Sequence, residues 1–230
     1  MMNVQLDGFL DQQVQMLKVS NNLAKPWNAW VKWGIDLALA SLLAIVLLPL
    51  MGLLALLIRL DSRGPALLWQ TRLGRANRDF RCLKFRTMYL DGDEKLAIYL
   101  RANPEKADEW EKFAKLKSYD PRLTRLGRFL RRWSLDEVPQ IINVLRGEMS
   151  LVGPRPYLPR ERDRIGPLYW TIVETRPGMT GFWQVSGKNR LTFDDRVRLE
   201  VWYVRNWTAW LDLIILIKTV KAVLQSDHSA

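Results

Sequence analysis

From Leu37 to Ile58 the chain runs for 22 residues without a charge, and nearly all of them are Leu, Ala, Ile, Val or Met. As a helix, such a segment is long enough to cross the ~30 Å hydrocarbon layer of a bilayer. Trp27, Trp30, Trp33 and Trp69 lie beside the run, and tryptophan favours the membrane–water interface. The simplest arrangement is a single spanning anchor, but two features complicate it. Pro49, past the middle of the run, removes a helical hydrogen bond and promotes a kink. Both flanks are also basic, with Lys18, Lys25 and Lys32 before the run and Arg59, Arg63, Arg72 and Arg75 after it. The positive-inside bias makes the C-terminal side cytoplasmic and gives the N-terminal side little reason to leave. A helix–break–helix hairpin dipping into one leaflet would keep both ends inside, and both arrangements remain open.

The length of 230 residues fits one or at most two domains. A formal charge of +11 calls for an anionic partner: nucleic acid, acidic lipid or a phosphorylated substrate. Cys82 is the single cysteine and His228, three residues from the end, the single histidine. A disulfide framework and a cysteine-based zinc site are therefore excluded, and Ser–His or Cys–His nucleophile chemistry is too. Any acid, base or nucleophile must be Asp, Glu, Lys, Tyr or an unassisted hydroxyl. Nothing matches a P-loop, a GxGxxG fingerprint or a zinc-ligand set. Charge and aromatic residues together also suit nucleic acid, yet the tryptophans cluster near the apolar run and the terminal helix, and no nucleic-acid module is visible. Nucleic acid is not expected as a partner.

Residues 1–24 are polar and weakly amphipathic, without the features of a secretory signal. After Leu60, ALLWQTRLGR and FRCLKFRTM (80–88) read as two short strands joined by a Gly/Asn turn. PEKADEWEKFAKLK (104–117) predicts an amphipathic helix opened by Pro104, with Trp110, Phe113 and Leu116 or Ala114 on one face. Leu123, Leu126, Phe129 and Leu130 recur at helical spacing, and IINVLRG after Pro139 predicts a short helix closed by Gly147. Turns or extended pieces follow around GPRP and RPG, and the segment from Thr192 onward gives one or two helices. The expected product is one compact, helix-rich α+β domain pressed against a membrane, with a small β-hairpin.

The stretch Ser134-Leu135-Asp136-Glu137-Val138-Pro139 invites two readings. Ser-x-x-Glu before an apolar run is a capping box; adjacent acids behind Arg131 and Arg132 could equally be a reacting centre for a phosphate ester. With Ser134 as the cap, Pro139 would be the fifth helical residue and would clash with the Leu135 carbonyl. Moving the cap to Asp136 puts Pro139 in the first turn, where its missing N–H costs nothing. Two carboxylates then stand at the positive end of a short helix, which favours their ionised form and also attracts phosphate. An Asp cap with a bystander Glu remains the alternative.

Candidate phosphate ligands surround these acids in sequence. Lys84 and Arg86 alternate with Leu83 and Phe85, so both point to one face of a strand. Arg155 stands between two prolines, and Arg176 and Lys188 lie in a segment whose three glycines allow close backbone approach. Arginine forks suit bidentate phosphate binding; the competing explanation is a basic face riding on anionic lipid.

Four ordered segments carry a resemblance: KFRTM (84–88), DPRLTRLGRFLRRWSLDEVPQIINVLRGEMSLVGPRP (120–156), RPGMTGFWQVSGKN (176–189) and WYVRNWTAWLDLIILIKT (202–219). Together they resemble the bacterial sugar transferases, or monotopic phosphoglycosyl transferases, and most of all the undecaprenyl-phosphate galactose phosphotransferases and related exopolysaccharide-initiating enzymes. The resemblance implies transfer of a hexose-1-phosphate from a UDP-hexose to undecaprenyl phosphate, with release of UMP and with Mg2+ as cofactor. It makes Asp136 the nucleophile that forms an aspartyl-phosphosugar, and has Glu137 help to hold the metal with Asp136 and handle protons. Lys84, Arg131 and Arg155 match basic positions that bind phosphate and substrate. Lys188 replaces the arginine found in many relatives, so a point charge stands where a fork would. The hairpin with Pro49 at its bend is also implied, with Leu48 where serine is common, and with Asp36 and Arg59 on the same side of the lipid interface.

The resulting expectation is an N-terminal cytoplasmic segment over 1–29, a re-entrant membrane helix over 30–60 broken near Pro49, and a catalytic domain over 61–230 at the cytoplasmic face of the bacterial inner membrane. Longer relatives carry a further membrane domain, so the chain resembles the minimal form. Galactose is expected on the likeness of 176–189 and 202–219; homo-oligomerisation is left open.

Overall fold

The structure is a computed structural model, and it describes residues 22–113, 116, 119–187 and 191–224. Most of the expected N-terminal segment, the Ala114 position, Lys188 and the His228 tail lie outside the described residues. The remainder is the helix-rich α+β fold expected, with two small two-stranded sheets.

Helix α1 (Pro26–Asp61) opens with proline at its first position, where no hydrogen bond is lost, and ends at the extended Ser62. Where a helix–break–helix was expected, the α-helical backbone continues through Pro49. At 36 residues α1 is about 54 Å long measured along its axis. Lys32, Asp36, Ala40, Ala44, Met51, Leu54 and Ile58 are its buried residues. Their spacing of fours, one three and one seven draws a single stripe along the helix. Pro49 is two residues from both Leu47 and Met51 and so faces away from that stripe. The other faces carry bare apolar side chains, among them Leu42, Ile45, Val46, Leu56 and Leu60.

Both ends of α1 dock on the same domain. Near the start, Lys32 Nζ lies 2.6 Å from Asp212, and Asp36 accepts from Ser150 Oγ at 2.6 Å and from the Leu151 N–H. Past the far end, Arg86 donates to the carbonyls of Ser62 and Arg63, both at 2.6 Å, and Asp61 accepts the Leu126 N–H. The buried stripe joins one core with Ile141, Val144, Leu151, Val204 and Ile215.

Strands β1 (Leu67–Leu73) and β2 (Asp79–Phe85) form the expected antiparallel hairpin, in the register Leu68↔Lys84, Gln70↔Cys82 and Arg72↔Phe80. These six side chains share one face because side chains alternate along a strand. Helix α2 (Gly92–Ala102) was not anticipated; α3 (Pro104–Phe113) matches the expected amphipathic helix over its described part. Helix α4 (Arg125–Arg132) is capped by Thr124, whose hydroxyl accepts the Gly127 N–H at 2.8 Å. A 3-10 turn, Leu135–Gln140, runs directly into α5 (Ile141–Leu145).

A second sheet, unforeseen, pairs β3 (Ser150–Val152) in parallel with β4 (Gly178–Thr180). Strands of three residues show no periodicity to read. Their pairing brings the GPRP and RPG segments side by side, so close that a Cβ on Gly178 would sit 2.1 Å from the Gly153 nitrogen. Helix α6 (Phe182–Val185) follows, then α7 (Phe193–Asn206), opened by a Thr192/Asp195 capping box, and α8 (Ala209–Leu224). The terminal segment is thus two helices, with α7 packed on a second cluster of Tyr157, Tyr169, Ile172 and Val173.

Candidate active site

Asp136 and Glu137 sit on the 3-10 turn. Ser134 does not cap it: its backbone is left-handed, at φ 54°, and its side chain makes no capping bond. The turn instead begins at Leu135, two residues before the first helical residue that a cap at Asp136 implies. Its tight winding lets Pro139 precede the first residue of α5, so proline disturbs no α-helical ladder.

Fully buried Asn143 of α5 holds this turn over the hairpin. Its Oδ1 accepts the Leu83 N–H at 3.0 Å, and its Nδ2 donates to the Arg81 carbonyl at 2.8 Å and to Glu148 at 2.6 Å. The side chain thereby replaces a missing neighbour strand for β2. That clamp places Lys84 against the dyad, with Nζ 2.6 Å from Glu137 Oε1.

The two acids therefore differ. Glu137 is ion-paired, whereas Asp136 has no ion pair and no hydrogen bond to another side chain among the described residues. Burial, and secondarily the Glu137 charge, push the Asp136 carboxyl up to about 6, with Lys84 and Arg131 acting the other way. Arg131 is held in place by its Nε, which donates to Thr87 Oγ1 at 3.0 Å.

A second cationic group stands beside this one. Arg72 is 7% exposed; it donates to the Pro156 carbonyl at 2.9 Å and to Gln70 at 2.6 Å, and its Nε has no partner. Burial disfavours its charge, as does Arg155, while Cys82, Glu161 and Glu137 favour it. Arg155 lies over the Trp183 ring, 5.7 Å from its centroid, and Arg196 lies over the same ring at 5.0 Å. Cys82, on the same hairpin face, is buried, and burial raises its thiol to about 11, so it is no nucleophile at neutral pH.

Not every candidate joins the site. Arg86, expected on one strand face with Lys84, lies just past the end of β2 and is turned to the end of α1, where it binds Ser62 and Arg63 with 2% exposure. It is a fastening for the end of α1. Arg176 donates from Nε to the Gly147 carbonyl at 2.7 Å and neighbours Arg75 and Asp36. It lines a small cavity with Lys32 and Ser150 beside the first half of α1. Lys84, Arg131, Asp136 and Glu137 are brought together, with Arg72 linking them to Arg155. Sequence reasoning missed Arg72 as a site residue, along with Asn143 and Glu200. The hairpin register would have exposed Arg72, and a lone acid among Val197, Leu199, Val201 and Val204 would have marked Glu200.

No cluster of three or more metal-binding side chains forms among the described residues. The two adjacent, part-exposed carboxylates still fit Mg2+, which typically takes one or two carboxylates and fills its shell with water and substrate phosphate.

The bacterial sugar transferase model matches residues 27–226. The undecaprenyl-phosphate galactose phosphotransferase of Salmonella typhimurium is 43% identical over 98% of this chain and 47% of its own length. An undecaprenyl-phosphate glucose phosphotransferase of Komagataeibacter xylinus is 41% identical over 88% of this chain and 37% of its own length. An exopolysaccharide production protein of Rhizobium meliloti is 40% identical over 89% of this chain and 90% of its own length. The chain thus spans less than half the length of two of these relatives and most of the third. A matched region that includes the dyad, the hairpin and α1 leaves one conclusion: the chain belongs to the bacterial sugar transferase family.

Proposed function

We propose that the chain transfers a hexose-1-phosphate, galactose-1-phosphate by preference, from a UDP-hexose to undecaprenyl phosphate, and so starts a polysaccharide repeat unit at the cytoplasmic face of the inner membrane. The observation that carries this reading is the division of labour in the dyad: Glu137 is neutralised by Lys84, and Asp136 stands unpaired with its carboxyl pushed up to about 6. An unpaired, more basic carboxylate beside Arg131 is suited to attack phosphorus.

In the first step an Asp136 oxygen bonds to the sugar-bearing phosphorus, the phosphoanhydride bond breaks, and UMP departs with the bonding pair. In the second, an oxygen of undecaprenyl phosphate attacks the same phosphorus, the acyl-phosphate bond breaks, and the Asp136 carboxylate is restored. Two steps suit a site with one substrate in water and the other in lipid. Carboxylate attack on a diphosphate requires that negative charge be neutralised; Lys84, Arg131, Arg72 and Arg155 are the cations at hand. Magnesium, bound by Asp136 and Glu137, would supply further neutralisation of the diphosphate.

The membrane reading rests on α1, whose two ends dock on one domain while Leu42, Ile45, Val46 and Leu56 between them stay exposed. A continuous helix bent at Pro49, and not broken there, with both ends returned to one face of the lipid, would account for both facts. Relatives named for galactose and for glucose are 43% and 41% identical, so the sugar is tested directly. UMP release with undecaprenyl phosphate, measured over a panel of UDP-hexoses, should be greatest with UDP-galactose and absent in Asp136→Asn. A folded Asp136→Asn protein with near-normal turnover would remove the covalent mechanism. A parent protein that binds anionic vesicles and releases no UMP from any donor would instead be a membrane scaffold.

A further inference from the structure

The segment that presents Arg155 is fastened from beneath by one carboxylate. Glu200 lies midway along α7, 1% exposed. Its Oε1 accepts the backbone N–H of Arg155 at 2.8 Å, and its Oε2 accepts the Tyr157 hydroxyl at 2.6 Å. Pro154 and Pro156 have no N–H to give, so few other hydrogen bonds could fix this stretch. Tyr157 is buried edge-on against Phe193, 5.9 Å between centroids, and its carbonyl accepts the Leu73 N–H at the end of β1. The stretch is thus stitched to α7 on one side and to the hairpin on the other.

Arg196, one helical turn before Glu200, shares the Trp183 ring with Arg155. Helix α7 therefore sets both supports of Arg155: the acceptor that holds its backbone and a charged neighbour on the ring beneath its guanidinium. A buried carboxyl group is costly unless its hydrogen bonds are met, and an apolar side chain would fill the same space against Val197, Val201 and Val204. What such a side chain could not do is hold Arg155 at a set height.

We propose that Glu200 is a positioning residue for the transfer reaction, fixing where the Arg155 guanidinium meets a substrate phosphate. The proposal rests on the reading of Arg155 as a phosphate ligand. Glu200 itself touches no substrate and acts through the loop.

A double-mutant cycle on UMP release, with melting temperatures recorded for each protein, tests it. Glu200→Leu should lower kcat/KM by about 10- to 100-fold, the usual effect of a misplaced substrate ligand. Glu200→Gln should stay within about threefold of the parent, since its carbonyl oxygen still accepts the Arg155 N–H and its amide can donate to the Tyr157 oxygen. In an Arg155→Ala background, Glu200→Leu should cost less than about a further twofold, because the group it positions is gone. An equal loss in both backgrounds, or a Gln variant as impaired as Leu, would show a merely structural role and overturn the proposal. Should Glu200→Leu fail to fold, Tyr157→Phe takes its place in the cycle, with a smaller loss that again vanishes in Arg155→Ala. An Arg155→Ala protein as active as the parent removes the phosphate-ligand reading and the positioning role with it. An impaired Arg155→Ala with additive losses overturns the positioning role alone.

Discussion

Asp136 and Glu137 are chain neighbours whose surroundings make them different reagents. Lys84 is the agent of that difference, since it pairs with Glu137 and also lowers the Asp136 carboxyl. Lys84→Met should leave two adjacent, uncompensated acids, raise the Asp136 pKa further and cut UMP release by about 100-fold or more. Turnover within a few fold of the parent would show that the pair is ornamental. Glu200 makes a separate prediction about stability. Burial pushes its carboxyl up to about 8, from 4.5, against the opposing pull of Tyr157, the Arg155 N–H and the Arg155 and Arg196 charges. The folded chain keeps a proton that the unfolded chain gives up between those two values. This group's contribution to stability is accordingly lost as pH rises through the window. Glutamine has no proton to lose, so the melting temperature of Glu200→Gln relative to the parent should climb from about pH 5 to about pH 8. A flat difference across that range would mean an unperturbed Glu200.

At the level of elements, the turn that carries the two acids is held by packing on β2 rather than by its own hydrogen bonds. Asn143 supplies that hold through the Leu83 N–H and the Arg81 carbonyl. Asn143→Ala would strand both groups and should cost about 2–4 kcal/mol of unfolding free energy, read from denaturant curves in detergent. A loss below about 1 kcal/mol would mean that water or a rearranged strand takes over the bonds. The hairpin was legible because its alternation spans seven residues on each side of a Gly/Asn turn. The parallel β3–β4 pair was not, because its two strands are three residues each and lie 28 positions apart. Ser134 shows a related limit: its spacing to Glu137 fits a capping box, but a left-handed backbone aims the side chain elsewhere.

For the whole molecule, the decisive feature is that α1 is fastened to one domain at both ends, with a buried stripe between them and its other faces bare and apolar. Lys32 and Asp36 hold one end, and Asp61 with the Arg86 clamp holds the other. In a Cys82→Ala background, single cysteines at Asn28 and Arg63 should both resist an impermeant thiol reagent in spheroplasts and both react once the membrane is opened. Labelling at position 28 in intact spheroplasts would mean a helix that crosses the bilayer.

The apolar helix, the strand hairpin and the acidic pair are all legible in the chain before it folds. Each of these is written in local periodicity, composition or adjacent residues. Which cations lie against the acids is settled by packing. Lys84 and Arg86 are two residues apart in the chain, yet one reaches Glu137, 53 residues away, and the other reaches Ser62 and Arg63, more than 20 residues back. Likewise Arg155 depends on Glu200, 45 positions later. Such partners are chosen by how helices and strands pack, and the free energy of packing belongs to the assembled core and not to any short stretch of chain.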